Sequence, residues 1–138
     1  MSELARVSIS LERRLLDQFD RLLKEEGYPT RSEAVKDLIR KRLVAREWGK
    51  GRDVAGAVAL VYDHHHRSLV NRLMEIQHDF SRLIVSVQHI HVSHDSCLEF
   101  VIVKGRAAEI RRLVTRLRSA KGLKHHALMM TTTGREIS

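Results

Sequence analysis

Between Ala5 and Ser10 the chain alternates strictly, with Ala5, Val7 and Ile9 on one side and Arg6, Ser8 and Ser10 on the other, the period of a short half-buried strand. The period then changes. Leu11, Leu15, Phe19, Leu22 and Leu23 recur at helical spacing behind Ser10, a residue suited to capping, and Gly27 with Tyr28-Pro29 stops that helix. Thr30 and Glu33 form a T-x-x-E capping pattern ahead of a second helix with the stripe Ala34, Val35, Leu38, Ile39 and Leu43. Trp48-Gly-Lys-Gly51 breaks the pattern and reads as helix end plus linker. Beyond it, residues 54–62 are apolar and strand-like, and Leu69, Leu73, Ile76 and Phe80 make a helix stripe. Residues 84–92 and 98–103 read as strands, Ile110, Leu113, Val114 and Leu117 mark a further helix, and residues 123–132 read as a last strand. The order is βαββαβ, a ferredoxin-like split unit, so the class expected is α+β, with one domain over residues 1–50 and another over 54–138.

A six-residue strand and two helices cannot bury enough apolar surface alone, and the strand has no partner inside its own unit. Dimerisation is the simplest closure. Pairing the strand with its two-fold mate gives an antiparallel ribbon that buries Ala5, Val7 and Ile9 and displays Arg6, Ser8 and Ser10 in duplicate. Such a ribbon fits the DNA major groove, where a guanidinium pairs with guanine and hydroxyls serve donor or acceptor bases. An ordinary solvated strand face has the same period. The start of the second helix, at Thr30, Arg31 and Ser32, adds free backbone N–H groups, a positive dipole end and a cation, which suits a phosphate.

Charge agrees with that partner without proving it. The formal net charge is +8, split evenly between residues 1–52 and the remainder, and polyanions are favoured. Aromatics are only 4% of residues, which leaves few platforms for stacking single-stranded bases. No apolar run approaches a membrane span, and the charged first residues do not make a signal peptide, so a cytoplasmic protein is expected. The single cysteine, Cys97, cannot form an internal disulfide.

Cys97 stands in the segment Gln88-His-Ile-His-Val-Ser-His-Asp-Ser-Cys97, with His78 eleven residues ahead of His89. Strand side chains alternate, so His89 and His91 emerge on one face, about 7 Å apart. Cys97 returns to that face if the hairpin loop between Val92 and Leu98 holds an odd number of residues. Imidazole with thiolate suits borderline-soft ions such as Ni, Cu and Zn and suits Mg or Ca poorly. A Cys97 nucleophile activated by His91 is the enzymatic alternative, but no motif supplies an orienting group or an oxyanion site. No catalytic residue is assigned.

A strand-helix-helix unit followed by βαββαβ with H-x10-H-x-H-x5-C resembles the nickel-responsive transcriptional regulator family, NikR, over nearly the whole chain. The segments that carry the likeness are Val7-Ser-Ile-Ser, Gly27-Tyr-Pro-Thr-Arg-Ser-Glu-Ala34 and Gln88-His-Ile-His-Val-Ser-His-Asp-Ser-Cys-Leu-Glu99. The resemblance implies a dimeric ribbon-helix-helix unit and an ACT-like βαββαβ unit, with Arg6, Ser8 and Ser10 facing a palindromic double-stranded operator. It implies His89, His91 and Cys97 as ligands from one subunit and His78 as the fourth from a facing subunit, holding one planar Ni(II) per subunit. It also implies a homotetramer, a dimer of dimers, that represses metal-uptake genes when nickel is bound. Glu33 and Asp37 match positions that, in the family, help hold a second, hard cation, although Glu33 also suits a cap and Asp37 an ion pair with Lys41.

Three imidazoles and a thiolate fit square-planar Ni(II) or Cu(II) and also tetrahedral Zn(II), so a zinc or copper sensor stays open, as does a storage or delivery protein that does not bind DNA. The clusters His64-His65-His66 and His125-His126 read as solvated histidines, and the basic helix with Arg106, Arg111, Arg112, Arg116 and Arg118 as a solvated face.

Overall fold

A computed structural model describes residues 3–138. It contains helices α1 (Arg13–Glu26) and α2 (Arg31–Gly49), then β1 (Asp53–Tyr62), α3 (Arg67–Asp79), β2 (Ile84–Ser93), β3 (Ser96–Arg106), α4 (Ala107–Arg118) and β4 (His125–Thr131). The chain separates into two compact units between Ile39 and Arg40, inside α2.

In the first unit the expected strand over residues 5–10 is not formed, and among the described residues no regular element precedes Arg13. The reason is physical: a ladder needs a second strand, and this unit offers none. Val7 and Ile9 are 81% and 64% exposed, as a ribbon without its mate would leave them. Ser10 is likewise not the cap. Helix α1 starts later, with Glu12 in extended backbone at the N-cap and its carbonyl accepting from Leu16 N–H at 3.0 Å. The stop falls at Gly27, which adopts the left-handed conformation at φ 76°. Tyr28 N–H donates to Leu23 O at 2.9 Å and Gly27 N–H to Lys24 O at 3.3 Å, the paired bonds of a Schellman ending. Thr30 Oγ1 accepts from Glu33 N–H at 3.1 Å and so caps α2, but the Glu33 carboxylate turns to Lys36 at 3.0 Å instead of reaching back. Half of the expected capping box is therefore made. Leu15, Leu22, Leu38 and Ile39 stay exposed, and Leu23 and Ala34 are the buried apolar side chains of this unit.

The second unit is one antiparallel sheet in the order β2-β3-β1-β4. Strand alternation sorts its side chains. Val54, Val58, Leu60 and Tyr62 of β1 and Val101 and Val103 of β3 meet Leu69, Leu73 and Ile76 of α3 and Ile110, Leu113 and Leu117 of α4 in one core. On the opposite face Ile90, Ile102 and Met129 remain open. Trp48, from the end of α2, joins this core and donates its indole N–H to Thr131 O at 2.9 Å. That indole explains Gly56. A Cβ there would lie 2.8 Å from Met129 O and 3.3 Å from the Trp48 ring. Gly56→Ala is expected to destabilise the unit by about 1–3 kcal/mol through overpacking against backbone, read as a lowered thermal midpoint with unchanged helix content.

Candidate functional site

Strands β2 and β3 form the hairpin that carries His89, His91 and Cys97, and its register decides what faces what. Ser93 pairs with Ser96 around the His94-Asp95 turn, yet His91 pairs with Cys97, so β2 holds one residue more, Val92, than β3 over that step. This bulge sets the site. Without it Cys97 would oppose Val92 and point to the other face from the histidines, since a one-residue slip reverses every side chain. With it, His89, His91, Cys97 and Glu99 lie on the same face as the helices, with His89 opposite Glu99.

The three expected ligands from one chain thus share a face. His89 Nδ1 lies 3.7 Å from Cys97 Sγ, and the thiol is 1% exposed while His89 is half exposed. His91 sits across the ladder from Cys97, and its ring stacks on His64 with centroids 4.4 Å apart and planes 3° off parallel. His78 is placed apart from them. It is exposed in the last turn of α3 and, among the described residues, its side chain makes no hydrogen bond to the other three. A buried cysteine sulfur beside two more exposed imidazoles on one face of the sheet is a donor set that fits Ni(II) and its late-transition neighbours.

Below them lies a polar network that sequence reasoning missed. Glu99 is only 2% exposed and is the buried charged residue of this core. The Tyr62 hydroxyl donates to its Oε2 at 2.6 Å, Gln77 Nε2 of α3 donates to its Oε1 at 2.8 Å, and His89 Nε2 stands 3.3 Å from the same Oε1. Burial, then the hydrogen bond to Glu99, pushes the Tyr62 phenol well above its ordinary range, so it stays a donor. Carboxylates placed like Glu99 fix the tautomer and orientation of ligating histidines. The signal was present in the alternation Cys97, Glu99, Val101, Val103: a carboxylate on an otherwise apolar period-2 face.

The other expected site residues lie in the first unit. Arg6, Ser8 and Ser10 are exposed, and so are Thr30, Arg31 and Ser32. Arg31 makes a bidentate pair with Asp20, with N–O distances of 2.9 and 2.8 Å, and that hydrogen bonding holds the Asp20 carboxyl below its usual range. The guanidinium is therefore aimed by a neighbour. Glu33 is engaged by Lys36, and the Tyr28 hydroxyl donates to the Asp37 carboxylate.

The histidine clusters also take definite places. His66 caps α3, its Nδ1 accepting from Leu69 N–H at 3.2 Å, and His65 Nδ1 lies 3.0 Å from Asp63 Oδ1. Desolvation, with help from the neighbouring His65 and His91, pulls the His64 pKa below its ordinary value. His125 and His126 stand exposed at the start of β4. Among the described residues, no helix is long and apolar enough to cross a membrane.

Comparison with known proteins matches the chain in two parts. Residues 55–131 match the NikR C terminal nickel binding domain, and residues 5–46 match the ribbon-helix-helix protein family of copG type. A protein of Chlorobaculum tepidum named as a nickel-responsive regulator is 51% identical, with 96% of this chain and 98% of that protein covered. Proteins of the same name from Chlorobium limicola and Thermococcus onnurineus are 48% and 46% identical, covering 97% and 98% of this chain and 100% and 99% of their own lengths. Among solved structures, an uncharacterized protein of Thermotoga maritima superposes with a TM-score of 0.52 at 16% identity, over 57% of this chain and 98% of that one, which is a likeness of fold. Matched along both units and nearly end to end, the chain belongs to the nickel-responsive regulator family, NikR.

Proposed function

We propose that this protein is a nickel-responsive transcription regulator: residues 1–50 bind operator DNA as a dimer, and residues 54–138 bind nickel and assemble the tetramer. The observation that carries the metal half is the bulged hairpin register that sets Cys97 on the face of His89 and His91. His89, His91 and Cys97 hold the ion from one subunit and His78 completes the set from another, which suits an exposed His78 at the end of α3. When bound, the ion is a soft-to-borderline Lewis acid that draws a deprotonated thiolate and neutral imidazoles together. Glu99 keeps the His89 ring turned toward that set.

The DNA half rests on exposure and charge. Val7, Ile9, Leu15 and Leu22 are exposed apolar side chains, and a second copy of the same unit covers them while closing the ribbon. Arg6, Ser8 and Ser10 then read base edges in the major groove, and Thr30, Arg31 and Ser32 hold phosphates at the start of α2. The open sheet face with Ile90, Ile102 and Met129 supplies a surface for pairing of second units.

A ligand shared between subunits couples metal occupancy to the arrangement of the ribbons, so operator affinity rises only if the metal-bound arrangement matches the half-site spacing. Repression of metal uptake follows from that sign. The test is a gel-shift titration with a palindromic operator at fixed salt, adding nickel stepwise: affinity rises as the thiolate-to-metal band grows. Unchanged affinity at full band intensity overturns the coupling. The same titration with zinc, which gives no such band, separates a nickel sensor from a zinc one.

A further inference from the structure

The turn from β1 into α3 and the tip of the β2-β3 hairpin converge on His65, and neither is used by the site described above. One donor atom from each of His65, His94 and Asp95 lies within 4.8 Å of the others, and Asp63, His64 and His65 satisfy the same criterion. The donors already stand at hydrogen-bond and ion-pair distances from one another. His94 Nδ1 is 2.9 Å and His65 Nδ1 3.9 Å from Asp95 Oδ1, while the rings of His65 and His94 have centroids 5.2 Å apart. Asp63 accepts from the His65 backbone N–H at 2.9 Å and contacts the ring at 3.0 Å, which limits how far that imidazole can swing. The backbone bond from His65 is also what chiefly holds the Asp63 carboxyl below its ordinary range.

We propose that His65, His94 and Asp95 form a second divalent-cation site, which ties the hairpin tip to the β1-α3 turn. Two imidazoles and a carboxylate without a thiol select Ni(II), Co(II) or Zn(II) over Mg(II) or Ca(II), and the exposure of all three residues leaves room for water to complete the coordination shell. Asp63 is the positioning residue through the His65 backbone N–H, and its contact with ring Nδ1 is given up when that nitrogen turns to the ion. The site is weaker than one with a thiolate and fills after it. Its place matters because His64, next to His65, stacks on His91, and His94 stands on the hairpin that carries His91 and Cys97. An ion at the tip restrains that hairpin from its far end.

The test uses the untagged full chain and nickel chloride, with calorimetric stoichiometry and the thiolate-to-metal absorption followed together. The native chain takes up one more equivalent than the number at which the absorption saturates. The double variant His65→Ala with His94→Ala loses that later equivalent and keeps the full band, since the site contains no sulfur. An unchanged stoichiometry in the folded double variant overturns the proposal, and so does uptake that ends when the band saturates. If circular dichroism shows the double variant unfolded, Asp95→Asn decides: the later step weakens at least tenfold, or the proposal falls. Absence of the band in the native chain counts against the Cys97 site alone, because the later equivalent is still measured by heat.

Discussion

Cys97→Ala is expected to remove the thiolate-to-nickel charge-transfer absorption entirely and to weaken nickel binding by more than about 100-fold. Losing a partner that merely orients a ligand already costs about 10–100-fold in affinity, and Cys97 is the soft donor of the set. The change is otherwise mild. Cys97 is 1% exposed and packs in the core cluster, so alanine leaves a cavity of one sulfur atom near Tyr62 and costs stability on the order of 1 kcal/mol. The measurement is an absorbance titration beside a thermal melt: a variant that melts near the native midpoint yet retains the band and the affinity would remove Cys97 from the site. Operator affinity should also cease to respond to nickel in this variant while its metal-free value stays the same.

Arg6→Ala should abolish sequence-specific DNA binding and leave the nickel titration as it was. Each bidentate arginine-guanine pair is worth about 1–3 kcal/mol of discrimination, and a ribbon dimer carries the residue twice, so roughly 30-fold to 20,000-fold is lost at the operator. Binding to unrelated DNA should fall only by the loss of one charge per subunit, with a correspondingly shallower salt dependence. Competition between operator and random duplex at two salt concentrations reads both quantities. An equal drop on both duplexes would make Arg6 a phosphate contact, and no drop would make the N-terminal face plain solvated surface.

How far the sequence was legible depended on whether the determining interaction was local. The apolar stripes of α3 and α4 and the apolar runs of β1 and β3 placed the elements of the second unit in the right order, because each is buried by its own chain. The strand over residues 5–10 did not form, because a ladder needs a second strand and its own unit holds none. Ser10 lost its capping role for a related reason: with no ladder to set the approach, the helix begins two residues beyond Leu11, at Arg13. The metal-site candidates were visible as residue types, but their convergence was not. Spacing left the side of the hairpin to which Cys97 points as a condition, and the extra residue at Val92 meets it. Glu99 could have been found from its register among Cys97, Val101 and Val103. Gln77 and Tyr62 could not, since hydrogen bonds from separate elements to one carboxylate leave no period in the chain.

The bulge at Val92 also restricts how such a hairpin can change over evolutionary time. Adding or deleting a single amino acid at the tip would rotate the sulfur to the far side of the sheet and put a neighbouring aliphatic or hydroxyl group in its place, whereas a change of two would restore the original partner across the ladder. Length variation in this loop should therefore be inherited in even steps wherever nickel sensing is kept, and an odd step should mark lineages that have given it up.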